Sequence, residues 1–215
     1  MESEALVGVL RGLDGASFGL VTNCPPWDLA ELVVHMGGSV DLRRAFGDAP
    51  AGMRVGSAAD YYRRPERGTS EYRQRNVDES REQAREVLVD LSAVEWFEGV
   101  VGNALGVLEG DDLDRVVLVP GRGAMRLGDW VVTRVISLAA HGLDVAITLG
   151  REAWTTEAAL KVMRPVFVEL LGEEPPVSLE WDDGAFLAVA TGRRVLTESE
   201  RVLLGSRDER FPLLS

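Results

Sequence analysis

The sequence predicts a mainly α protein: a helical bundle over residues 1–150, followed by a small C-terminal α or α+β unit over 151–215. Three observations carry this reading. Segment 131–151, VVTRVISLAAHGLDVAITLGR, is apolar on nearly every side, as a helix central to a bundle is. Helix-opening signals recur along the chain, with Asp28 and Glu31 at capping-box spacing, Thr155 or Thr156 placed as one cap and Thr197 as another. A chain of 215 residues, 46% apolar and 27% charged, can also build one sizeable core plus a small appended unit.

Taken in order, residues 2–13 read as an amphipathic helix, and NCPPW breaks the chain before DLAELVVHMGGSVDLRRAFG opens a second helix at Asp28. The Arg-rich stretch YYRRPERGTSEYRQR, with its Pro and Gly, reads as a loop. A long helical stretch follows from Asp78 to Leu108, broken near Ser92, and PGRG is a loop ahead of the helix at 131–151. TTEAALKVMRPVFVELLG restarts a helix that Pro165 is expected to kink or offset, and EEPP ends it. The tail mixes a short strand, an Ala-rich segment and a capped helix from Thr197. There are no internal repeats and no long linker.

Charge and cysteine usage narrow the function classes. A net charge of −12 repels phosphate backbones and anionic lipid, so nucleic acid and membrane surfaces are poor partners and a small-molecule substrate is the expected one. No signal peptide and no apolar run long enough to span a bilayer are expected, and the single Cys24 excludes an internal disulfide framework, so a cytoplasmic location is expected. Cys24 itself reads as a packed small side chain or as a nucleophile. Oligomeric state is left open.

The chemistry lies in two polar stripes on greasy helices. Arg134, Ser137, His141, Asp144 and Thr148 recur at steps of three and four, which places them on one helix face. A solvated face usually carries Lys and Glu, whereas Ser, His, Asp and Thr suit a pocket. Asp28, Glu31, His35 and Ser39 repeat the pattern on the second helix, and His35 and His141 are the only two histidines. Nearby glycines allow close approach of a backbone or ligand. Two readings stay open: unrelated core histidines, each satisfied by a neighbour, or imidazoles converging on one metal ion in a bundle core.

TNCPPWDLAELVVHMGG resembles the T-x-C-P-x-W-x-x-x-[DE]-L-x-x-H segment of the mycothiol-dependent maleylpyruvate isomerase-like proteins, which are DinB-like metal-binding helical bundles. TRVISLAAHGLDVAITLGR resembles their second signature, an Arg and then Glu-x-x-x-His-x-x-Asp, and the tail ATGRRVLTESERVLLG through FPLLS is similar to that of many actinobacterial members. The resemblance implies a DinB-like four-helix bundle whose His, Glu and His hold zinc or another divalent metal. By position these are His35, Ser137 and His141, so the carboxylate ligand is missing at Ser137. Asp144 or Glu31 could substitute, although an Asp already stands at the former position beside a complete triad, where it would orient an imidazole.

In such proteins the metal binds the thiolate of a low-molecular-weight thiol, mycothiol, which adds to an electrophile and then leaves or stays. The resemblance therefore implies a diverged thiol-dependent isomerase or S-transferase acting on a small electrophilic metabolite, with His35, His141, Asp144, Arg134 and Ser137 as the working residues. Two alternatives use the same pocket: a metal-independent isomerase, lyase or cyclase of specialised metabolism, and a non-catalytic binding or resistance protein. The resemblance also implies a C-terminal Arg linked to activity in the isomerases, at Arg193 or Arg194, with the register left open. Arg63, Arg64, Arg67, Arg73 and Arg75 read as a solvated basic loop or as contacts to an anionic substrate. Trp27, Trp96, Trp130, Trp154 and Trp181 read as core or helix-end anchors, with Trp27 and Trp130 also placed to line the pocket.

Overall fold

A computed structural model describes residues 2–42 and 47–214; the predicted extension of the second helix across 43–46 lies outside the described residues. Nine helices are described: α1 (Glu2–Arg11), α2 (Leu29–Val40), α3 (Ala58–Tyr62), α4 (Ser70–Val87), α5 (Ala93–Leu108), α6 (Leu127–Leu149), α7 (Glu157–Leu171), α8 (Asp183–Ala190) and α9 (Glu198–Leu204). Local chemistry sets their starts. Asp28 and Glu31 close a reciprocal capping box on α2, Ser92 and Glu95 do the same for α5, and Thr197 and Glu200 for α9, while Thr156 caps α7. Gly150, in the left-handed conformation at φ 61°, ends α6 where a side chain would be strained.

Helices α1, α2, α5 and α6 pack as a four-helix bundle, with α4 laid against α2. Leu6, Leu10, Leu32, Val33, Met36, Phe97, Val100, Leu138 and Val145 form its core. At Gly37 an added Cβ would fall 2.7 Å from Trp96 Nε1, so glycine is what lets the α5 indole close onto α2.

The opposite side of α6 is buried too. Ile136, Ala139 and Leu143 pack with Tyr61 on α3, Met163 and Phe167 on α7 and Phe186 and Leu187 on α8. A helix covered on both sides must be apolar nearly all round. The expectation that no apolar run is long enough to span a bilayer is corrected here: α6 is, by length and composition, and it is apolar because it packs on both sides, with 56% of its most apolar stretch buried inside the protein. The loop after Gly150 leads into the C-terminal helices without a break in this second core.

A small sheet went unpredicted. Strands β1 (Gly47–Asp48), β2 (Val55–Gly56), β3 (Val116–Val119) and β4 (Gly123–Arg126) lie in the order β1-β3-β4-β2, with β2 parallel to β4 and the other pairs antiparallel. PGRG is thus the turn of the β3–β4 hairpin rather than a plain loop. The stretch read as a basic loop contains the end of α3, a 3-10 turn at Pro65–Gly68 and the start of α4. The strand expected in the tail is a 3-10 turn, Val177–Leu179, and among the described residues beyond 150 the regular elements are helices and 3-10 turns. Pro165 is accommodated within α7.

Candidate functional site

Helix α6 organises the site. Its helical repeat sets His141 and Asp144 beside the segment ahead of α2, which brings Asn23 and Cys24, and the loop after α8, which brings Arg193. Asp144 is only 1% exposed and fully engaged. Its Oδ1 accepts from Asn23 Nδ2 (3.0 Å) and Arg193 Nε (3.0 Å), and its Oδ2 accepts from Arg193 Nη2 (2.6 Å) and His141 Nδ1 (2.9 Å). Burial alone would raise the pKa of this carboxyl, but hydrogen bonds from His141 and Arg193, with their charges, outweigh it and hold Asp144 well below the usual carboxylate range. An ionised carboxylate only accepts, so His141 donates to it from Nδ1 and Nε2 is the ring nitrogen left over from this contact.

His35 faces it from α2. The two rings meet edge to face with centroids 5.1 Å apart, and the other face of His35 stacks on Trp27 at 4.4 Å. Its Nδ1 hydrogen-bonds Ser80 Oγ on α4 at 2.8 Å, and among the described residues no hydrogen bond engages its Nε2. Burial, then the positive charges of His141 and Arg134, push His35 down to about 3, which keeps it neutral at pH 7. Two turns before His141, Arg134 donates from Nη1 to the Ser39 carbonyl (3.1 Å) and lies over Trp130 with its guanidinium carbon 4.0 Å from the ring centroid. Ser137 Oγ donates to Ser39 Oγ at 3.4 Å.

His35, Arg134, Ser137, His141 and Arg193 line one cavity of about 940 Å³. Asp144 stands behind His141 and positions it, while Thr148 donates to the Asp144 carbonyl further along α6. Glu31 belongs elsewhere: it closes the α2 capping box and pairs with Arg81 at 3.0 Å. Of the two candidate C-terminal arginines, Arg193 reaches the site and Arg194 pairs with Glu200 (2.8 Å). Trp27 lines the cavity, Trp96 fills the notch at Gly37, and Trp181 packs in the C-terminal unit. Asn23 and Ser80 were not foreseen, because one lies in an irregular segment and the other on the strongly charged α4.

A helical bundle with a cavity bounded by one histidine from α2 and one from α6 is the class of protein these observations define. The family model for the mycothiol maleylpyruvate isomerase N-terminal domain matches residues 1–146, and the chain belongs to that family. Neither a curated protein nor a solved structure matches it.

The donor set does not complete a three-ligand metal centre. His35 and His141 offer two neutral imidazole nitrogens, and Ser137 supplies a neutral hydroxyl where a carboxylate would contribute charge and a strong bond. Among the described residues, Cys24, His141 and Asp144 offer ligand atoms within 4.8 Å of one another, a possible metal-binding group. However, Arg193 already occupies both oxygens of Asp144, and burial, then the Asp144 charge, pushes the Cys24 thiol up to about 12. A divalent ion there would have to displace a guanidinium and take a proton from a reluctant thiol.

Proposed function

We propose that this chain is a small-molecule enzyme of the thiol-dependent isomerase or S-transferase type, in which His141 and His35 manage protons directly. The observation that supports this most is the paired anchoring: Asp144 holds Nδ1 of His141 and Ser80 holds Nδ1 of His35, so the two imidazoles that line one cavity are both fixed through Nδ1 and keep Nε2 clear of these anchors. Imidazoles fixed in this way suit general acid–base work.

In the proposed reaction a small thiol gives its proton to His141 Nε2. Asp144 stabilises the imidazolium and Arg193 keeps Asp144 ionised. The thiolate forms a C–S bond to the electron-poor carbon of an α,β-unsaturated carbonyl compound, and the displaced electron pair moves to the carbonyl oxygen, toward which His35 donates from Nε2–H when Ser80 donates to its Nδ1. Rotation about the former double bond and loss of the thiolate return the isomer, and the thiol recovers its proton from His141. If the adjacent carbon takes that proton instead, the thioether product of S-transfer remains. Mycothiol, named in the family description, is the thiol of first choice.

The test is turnover of mycothiol with a panel of cis-configured unsaturated carbonyl compounds, followed by isomer ratio and thiol loss. Multiple turnovers that fall at least ~100-fold in His141→Ala support the reading. Binding without turnover on every compound would replace it with ligand capture by the same pocket.

A further inference from the structure

The cavity has a second polar end that the histidine pair leaves unused. Tyr61, buried on α3, is enclosed by guanidinium groups from three parts of the chain. Arg64 and Arg67 come from the segment after α3, Arg122 from the β3–β4 turn and Arg134 from α6, with their carbons 4.6, 5.0, 5.9 and 5.1 Å from the ring centroid. Tyr61, Arg67, Arg122 and Arg134 line the same cavity as His35 and His141. The neighbouring phenol, Tyr62, is committed to the Thr133 carbonyl at 3.1 Å.

These cations are poorly neutralised. Among the described residues, Arg64 has Glu66 at 3.2 Å, but no carboxylate lies within ion-pair distance of Arg67, Arg122 or Arg134. The cavity's own acids, Glu79, Glu82 and Glu86, all belong to α4. Arg67 Nε and Arg64 Nη2 are buried without a hydrogen-bond acceptor. Clustered guanidinium groups repel one another, and buried donors without acceptors cost stability, so the arrangement suits a cavity that receives an anion. Arginine forks match the geometry of carboxylate and phosphate.

We propose that Arg67, Arg122 and Arg134, gathered around Tyr61, form an oxyanion-binding subsite that takes the carboxylate or phosphate of the small molecule whose reactive end meets His35 and His141. The second half of that statement rests on the function proposed above; the first does not. Near neutral pH Tyr61 supplies part of the balancing charge when the subsite is empty. Burial raises its pKa, but the charges of Arg134, Arg67 and Arg122 and a hydrogen bond from Arg134 outweigh this and bring it to about 7. A bound anion replaces the phenolate, so Tyr61 Oη takes up a proton as the anion enters.

Calorimetric titration of the intact chain with acetate, succinate and inorganic phosphate, at low ionic strength and in two buffers of different ionisation enthalpy, reads affinity and proton uptake together. The expected result is saturable one-site binding that weakens ~10-fold or more in Arg122→Gln and in Arg67→Gln. Arg75→Gln, an exposed arginine over Tyr72 alone, leaves it unchanged. Tyr61→Phe keeps the binding and loses the proton uptake; should that core variant misfold, the near-ultraviolet tyrosinate band of the parent, falling as anion is added, reports the same event. The preferred anion separates a carboxylate substrate from a phosphorylated one. Absence of binding, or equal weakening in Arg75→Gln and Arg122→Gln, would overturn the subsite. Because the probes carry neither thiol nor electrophile, that failure would leave the histidine chemistry standing, and loss of turnover would leave the subsite standing.

Discussion

Arg193→Leu puts the coupling of the C-terminal unit to the site under the sharpest strain. Asp144 is 1% exposed and ionised, and Arg193 supplies two of its hydrogen bonds, at 3.0 and 2.6 Å, leaving Asn23 and His141 when it is removed. Removing one partner of a buried ion pair costs about 3–5 kcal/mol, and the partial exposure of Arg193 argues for the lower end, about 3 kcal/mol. With a urea dependence of about 2–3 kcal/mol per molar for a chain of this size, the unfolding midpoint should fall by ~1–1.5 M. Arg194→Leu is the control, since it breaks a more exposed pair with Glu200 and should cost about 1 kcal/mol or less. Adding Asp144→Asn to Arg193→Leu should recover part of the loss by removing the stranded charge. Equal midpoints for Arg193→Leu and Arg194→Leu would refute the buried clamp.

Four further outcomes follow from the same packing. His35 is held near 3 in the folded state against about 6.5 in the unfolded chain, so the unfolded state binds the extra proton between these values; stability should fall by up to ~1.4 kcal/mol per pH unit as pH drops below 6, a slope absent in His35→Gln and readable by urea titration at several pH values. Asp144, shifted in the direction usual for a paired carboxylate, adds its own loss only below about pH 4, as pH falls toward its folded value. Cys24, pushed up to about 12, should react with iodoacetamide at pH 8 at least ~100-fold more slowly than free cysteine, and Asp144→Asn should narrow that gap. Gly37→Ala should lower stability by ~1–2 kcal/mol in thermal unfolding, because its Cβ would sit 2.7 Å from Trp96 Nε1 and helix propensity returns only about 1 kcal/mol.

The parts of the fold and site written in helical periodicity were legible in the sequence. Capping chemistry at Asp28, Thr156 and Thr197 announced α2, α7 and α9, and the polar stripe on α6 carried Arg134, Ser137 and His141 to one cavity. What escaped has no period. Strands of two to four residues are too short to alternate visibly, and Tyr61 was hidden in a stretch whose arginines, Pro65 and Gly68 look like loop composition. Arg193 and Arg194 are adjacent and chemically identical, so only the turn after α8 decides which meets Asp144. Ser80 reaches His35 from a helix whose composition otherwise signals solvent.

The central claim is that His35 and His141 converge on one cavity without the carboxylate that would make them a metal centre. Zinc affinity of chelator-treated parent and Ser137→Glu, measured by competition with a chromogenic chelator, tests it most directly. The expected result is weak binding by the parent and at least ~100-fold tighter binding by Ser137→Glu, lost again in His35→Ala. Tight stoichiometric zinc in the parent, or no gain in Ser137→Glu, would contradict it.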